Sequence, residues 1–161
     1  MIRLTHVFAA MLVVFPARAF ADPYPARKPG LWEITMTSKG SPPTVTKLCI
    51  DAATEADMLK KGEATKASIC SRNEVHRSGN VYTSDSVCRP MSSETTSHSV
   101  TIFTGDTAYT MVIASHYNPP FMGHTDQEMT QDAKWLGPCG SDMQPGDMIV
   151  GGKKLHMGGT P

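Results

Sequence analysis

The chain has 161 residues, with 15 basic side chains balanced by 15 acidic ones, 40% hydrophobic residues and four cysteines. So neutral a balance lacks the electrostatic footprint that holds nucleic acid or an anionic membrane surface, and the lysine pairs at 60–61 and 153–154 are solvated ends. The length suits one domain with one core.

Residues 1–21 read as an export signal. Arg3 and His6 open it, 7–15 form an apolar run too short to span a bilayer, and Ala19-Phe20-Ala21 fits the small-x-small cleavage rule. The mature chain is expected to begin at Asp22, with cleavage after Ala19 as the nearby alternative. The first cysteine is Cys49, far from the cleavage site, so no lipid anchor and no stable membrane attachment is expected afterwards. The expected location is the periplasm or the medium. Residues 22–29 hold Pro23, Pro25 and Pro29 without apolar periodicity and should form a flexible, extended leader.

A single β-rich domain is expected over 30–139. Leu31-Trp32-Glu33-Ile34-Thr35-Met36 alternates in strand fashion, Lys39-Gly40-Ser41-Pro42-Pro43 turns the chain, and 44–50 is a second strand rich in β-branched residues. Residues 51–62 change period, with Ala52, Ala56 and Leu59 on one face of a short helix. Asp51 or Thr54 can cap it, Lys60 and Lys61 suit its negative end, and Gly62 supplies a stop.

A hairpin follows over 68–90, turning at Ser78-Gly79-Asn80, where Gly79 can take the positive φ of a tight loop. Cys70 and Cys88 each lie nine positions from Gly79, and opposed residues of antiparallel strands bring their Cβ atoms to roughly 4.5–5.5 Å, within reach of a disulfide. The hairpin thus predicts Cys70 bonded to Cys88, which leaves Cys49 to Cys139. Four cysteines in an exported chain imply disulfides before metal, and no two stand at the close spacing of structural zinc sites.

Beyond the hairpin, 92–97 is a polar edge or loop, and Val100-Thr101-Ile102-Phe103 is a strand. Thr104-Gly105-Asp106-Thr107 has the form of a two-residue type II′ turn, with a returning arm over 108–115. Residues 118–123 reverse the chain again, and 124–135 is a last long strand or an irregular segment in which 128–134 could equally be a helical turn. The tail, 140–161, is rich in Gly, Met and Pro, with little to form a core, but Met148-Ile149-Val150 and Lys153-Lys154-Leu155 flank Gly151-Gly152 as a small terminal hairpin would. The fold class is therefore mainly β: an antiparallel meander rolled into a small barrel or half-barrel, with one short helix and two disulfides, and a sandwich as second choice.

Lys28-Pro29-Gly30-Leu31-Trp32-Glu33, the spaced Cys49, Cys70 and Cys88, the Gly105-Asp106 turn, Lys134-Trp135-Leu136-Gly137-Pro138-Cys139 and the Pro145-Gly146-Asp147-Met148 tail resemble an exported bacterial family, domain of unknown function 3617 (DUF3617). The resemblance implies export, disulfides and a compact domain with no assigned reaction. Gly30-Leu31-Trp32 is also similar to the G-x-W that opens the first lipocalin strand, which implies an enclosed apolar pocket with Trp32 as its plug.

No nucleophile elbow, phosphate-binding loop, zinc-protease helix, C-x-x-C or EF-hand loop is present. No catalytic residue and no cofactor is expected, and an enzyme is the less favoured reading. Trp32, Met36, Phe103, Tyr109 and Met111, with Ile113, supply apolar side chains from several strands and are the candidate contacts of a small apolar ligand. The leading expectation is a binding or structural module for such a molecule or for an envelope protein. The alternative is a metal-handling or hydrolytic protein: paired symmetrically about Pro120, His116 and His124 would face each other, with Met122 as a soft third donor and Asp126 and Glu128 nearby. Met143, Met148, His156 and Met157 add further donors in the tail.

Overall fold

The computed structural model describes residues 24–157. The expected export signal at 1–21 lies outside the described residues. Among the described residues nine strands form one sheet: β1 (Gly30–Ser38), β2 (Thr44–Ile50), β3 (Cys70–Ser78), β4 (Val81–Cys88), β5 (Glu94–Thr104), β6 (Ala108–Phe121), β7 (His124–Gly137), β8 (Asp147–Val150) and β9 (Lys153–His156). One helix among the described residues, α1 (Ala52–Ile69), joins β2 to β3. All pairings are antiparallel, in the order β3-β4-β5-β6-β7-β1-β2-β8-β9. β3 and β9 are the two edges, so the sheet is open; it is mainly β and meandering, compatible with the expected half-barrel and not a closed barrel. The β3 edge carries exposed Arg72, Glu74 and Arg77, charges that discourage pairing with a further strand.

The two disulfides are Cys49–Cys139 and Cys70–Cys88. Cys70 does oppose Cys88, by a different route from the expected one. The turn is Gly79-Asn80, with Ser78 opposite Val81, and this register alone would bring Ser71 to Cys88. A one-residue bulge between Cys70 and Arg72 restores the cysteine pair. The Gly105 turn also differs, because Thr104 pairs with Ala108 and the loop has three residues rather than two.

The helix is longer than expected and turned differently. Asp51 caps it, its side chain accepting from Thr54 N at 2.7 Å, but Gly62 does not end it. One interior glycine costs about 1 kcal/mol, and Glu63, Ala64, Lys66 and Ala67 after it are good helix formers, so the helix runs 18 residues to Cys70. Ala52, Ala56 and Leu59 are exposed, whereas Glu55 is buried and Met58 packs on the core. The cause is an ion pair between Glu55 and Arg27 of the leader, described below.

The core is small: Trp32, Leu48, Ile50 and Ala133 are buried, with Ile34, Tyr109, Trp135 and Met148 packed around them. The two tryptophan motifs form one joint. Trp32 Nε1 donates to Lys28 O at 2.8 Å, Trp135 Nε1 donates to Pro29 O at 3.0 Å, and the Lys28 ammonium lies 4.0 Å from the Trp135 ring centroid. Between them Gly30 sits at φ 137, and a Cβ there would overlap the Gly137 carbonyl oxygen and Trp135 Nε1. Only glycine lets the chain pass that close. The segment at 24–29 is therefore not the loose leader expected from its prolines; it is a strap held by two indoles and by Lys28 N donating to Asp106 O at 2.9 Å.

The tail is likewise part of the fold. β8 pairs with β2, setting Met148 opposite Leu48, and Met143 and Asp147 are buried. This corrects the expectation that residues beyond 139 add little to the core.

Candidate functional site

The register of the sheet lines up side chains from strands distant in sequence. Tyr82, Thr101, Met111, Gln131 and Met36 are successive cross-strand neighbours on β4, β5, β6, β7 and β1. Next to them run Phe103, Tyr109, Ala133, Ile34 and Thr46. Residues two apart on a strand share a face, so both rows lie on one side of the sheet, the side that α1 and the leader strap cover.

Between sheet, helix and strap lies a cavity of about 460 Å³, within the range of small-molecule sites. Five methionines line it: Met36, Met58, Met111, Met148 and Met157. Tyr24, Phe103 and Tyr109 supply aromatic surface, with Phe103 and Tyr109 in ring contact at 5.5 Å and Tyr24 stacked on Tyr82 at 5.0 Å. Of the expected ligand contacts, Met36, Phe103, Tyr109 and Met111 line this cavity, whereas Trp32 does not. Trp32 is fully buried beneath it in the core. Ile113 is on the same strand as Met111 but does not reach the cavity wall.

At one end of the cavity is a polar cluster that sequence reasoning missed. Arg27 donates through Nε to Glu55 Oε1 at 2.9 Å and through Nη2 to Oε2 at 2.6 Å, and both side chains are largely buried, 12% and 6% exposed. The guanidinium also lies over the Trp32 ring, 5.6 Å from its centroid. Gln131 Nε2 donates to the Tyr109 hydroxyl at 2.6 Å, and burial, partly offset by Arg27 and Gln131, pushes the Tyr109 phenol above its usual range. The partners are 28 residues apart, so no local pattern could have announced the pair.

A second clasp holds the tail against this wall. Asp147 is buried, and its carboxylate accepts from Lys154 Nζ at 2.8 Å, from Gln144 N at 3.0 Å and pairs with His156 Nδ1 at 2.8 Å. These contacts, Lys154 foremost, hold its carboxyl well below the usual carboxylate range. A folded-state value below the unfolded one stabilises the protein above the unfolded pKa, about 3.9, and the gain is lost as pH falls toward the folded value. Asp147→Asn is thus expected to lower the melting temperature by a near-constant amount above about pH 5, and the gap to the unaltered protein should begin to narrow below about pH 4 and keep narrowing as pH falls toward the low folded value. Thermal unfolding by circular dichroism from pH 7 down to about pH 2 checks it; a gap that does not narrow over the acid part of that range would show that the carboxylate charge is not what holds the hairpin.

The histidines of the metal alternative are placed differently from the symmetric arrangement. His116 opposes Asp126, with Nδ1 and Oδ1 2.8 Å apart, while His124 opposes Phe121 across a two-residue turn of Met122 and Gly123. Pro119 and Pro120 have no N–H to give the ladder, so β6 bulges between His116 and Phe121 and the imidazoles are not opposed. Met122 points to solvent, 83% exposed. Among the described residues no three His, Cys, Asp or Glu side chains gather as a metal-binding group.

No curated protein and no solved structure matches the chain. The family profile described as a protein of unknown function (DUF3617) matches residues 27–139, from Arg27 of the buried ion pair to Cys139 of the second disulfide; Met148 and Met157 of the cavity wall lie beyond it. No helix among the described residues is long and apolar enough to cross a membrane, and two intact disulfides fit an oxidising compartment. With both tryptophan motifs, both cystines and most of the cavity inside a match that covers well over half its length, the chain belongs to the DUF3617 family of proteins of unknown function.

Proposed function

We propose that this protein is a non-enzymatic binding module, exported to the periplasm or medium, that takes a small apolar molecule into the cavity between sheet, helix and strap. The observation that carries this is the lining: five methionines and three aromatic rings around about 460 Å³. Held open to water, such a surface forgoes roughly 25 cal/mol for every Å² it could bury, and an apolar guest recovers that energy. Methionine suits the task, because its unbranched, polarizable chain adapts to guests of different shape and makes favourable contacts with aromatic rings.

Titration with N-phenyl-1-naphthylamine, a dye that fluoresces on entering apolar surroundings, tests the reading. The protein is expected to bind the dye at micromolar concentration, and Met111→Lys, which puts a charge in the cavity wall, to weaken binding at least about tenfold. Native mass spectrometry of protein isolated from its own compartment should show a lipid-sized adduct. Failure to bind the dye, together with a single apo mass, would remove the proposal.

A further inference from the structure

We propose that Met36 and Met111, in the floor of the cavity, are an oxidation site: hydrogen peroxide converts their thioethers to sulfoxides, and the cavity then releases its apolar guest. The release rests on the binding reading above, whereas the oxidation stands on the chemistry of the wall itself.

All four cysteines are joined in disulfides, so no thiol is left to react first and the thioethers are the softest side chains open to such an oxidant. The chain has 11 methionines, and the five in the cavity wall are half-buried around about 460 Å³ of space, ample room for a molecule little larger than water. Exposure grades the others. Met91 and Met122 stand in solvent, 61% and 83% exposed, whereas Met143 is buried, 8% exposed, outside the cavity wall.

In the reaction the sulfur lone pair attacks one peroxide oxygen. An S–O bond forms, the O–O bond breaks, and the departing hydroxide takes up the proton of the transferred hydroxyl and leaves as water; sulfur is oxidised and the peroxide reduced, with no further reactant. The product is a polar, chiral side chain in place of an apolar one, and methionine sulfoxide reductases reverse it.

Position decides which methionines act on binding. Met58, Met148 and Met157 pack against the buried core as well as lining the cavity, so oxygen on any of them also loosens the helix or the tail. Met36 and Met111 line the cavity from β1 and β6, on either side of Gln131 of β7. Once both are oxidised, three adjacent side chains of the floor are polar. An apolar guest must then strip water from two S=O groups without giving a hydrogen bond in return, which is unfavourable.

The test treats the full-length protein with hydrogen peroxide, removes the oxidant, maps each methionine by peptide mass and titrates N-phenyl-1-naphthylamine. Met91 and Met122 are expected to gain oxygen first with no change in dye binding, then Met36 and Met111, with binding weakened at least about tenfold, while Met143 stays unmodified. Methionine sulfoxide reductases for both epimers should restore the affinity, and circular dichroism confirms that the oxidised protein is folded. Met36→Leu with Met111→Leu, compared with its own untreated affinity, should lose less than about twofold at the same dose. Met36 and Met111 left unmodified when Met143 already carries oxygen, oxidised protein that binds the dye as before, or a double variant that loses binding as fully as the parent overturns the proposal and leaves the binding reading in place. A protein that takes up no dye before oxidation overturns both.

Discussion

Replacing Arg27 with methionine should lower the free energy of unfolding by about 3–5 kcal/mol, the usual cost of removing one partner from a buried ion pair. The substitution keeps the length of the side chain but leaves the Glu55 carboxylate, 6% exposed, without its guanidinium. It also removes the cation from the Trp32 ring and one anchor of the strap that roofs the cavity. Urea unfolding of the single variant, of Glu55→Leu and of the double variant separates these contributions. The double variant should recover most of the loss, because exchanging both charges for apolar groups is often close to neutral. By contrast, the exposed pairs Lys61–Asp57 and Lys66–Glu63 on the same helix should contribute at most about 1 kcal/mol each, and less in high salt. A loss below about 1 kcal/mol for Arg27→Met would show that the strap is held by its backbone and indole contacts instead.

The two disulfides should differ in worth, and in what each one holds. Closing the 90-residue separation between Cys49 and Cys139 restricts the unfolded chain by about 4.5 kcal/mol on a chain-entropy estimate, against about 3 kcal/mol for Cys70–Cys88 and its 18-residue separation. Paired Cys→Ser variants, followed by thermal unfolding with and without reductant, measure both. The longer bridge has a local consequence as well. Cys49 is fully buried, and its carbonyl accepts from Gly146 N at 2.9 Å, at the head of the β8–β9 hairpin. Cys49→Ser with Cys139→Ser should therefore raise amide exchange in 147–156 and weaken dye binding, since that hairpin carries Met148 and its end carries Met157. Cys70→Ser with Cys88→Ser, at the far edge of the sheet, should leave exchange there unchanged. Equal exchange in the two variants would mean that the tail is held without the bridge.

How far the sequence could be read depended on whether the deciding contacts were local. Residues 44–50 carried β-branched side chains and became β2 with the expected bounds, and the glycine pair at 151–152 turned the β8–β9 hairpin as read. The Cys70–Cys88 pairing was reached from one glycine, although a bulge at Ser71, which no local pattern reveals, was needed to seat it. Gly62 shows the opposite case. A helix-stop residue was overruled by the helix formers beyond it and by the need to deliver Cys70 to its partner. The same holds for the His116–His124 register, where two prolines without N–H groups broke the symmetry on which the expected pairing relied.

By itself the sequence determined the β-rich class, the pair of disulfides, the tryptophan motifs that mark the family, and four of the side chains that face the cavity. The strands and the Cys70–Cys88 pair follow from alternation, turn chemistry and spacing, which act over a few residues; Cys49–Cys139 follows by elimination. The cavity itself, its five methionines and the Arg27–Glu55 clasp were decided only by the tertiary structure. Each depends on which strands become neighbours and on what covers the sheet, and that is set by the summed burial of the whole chain.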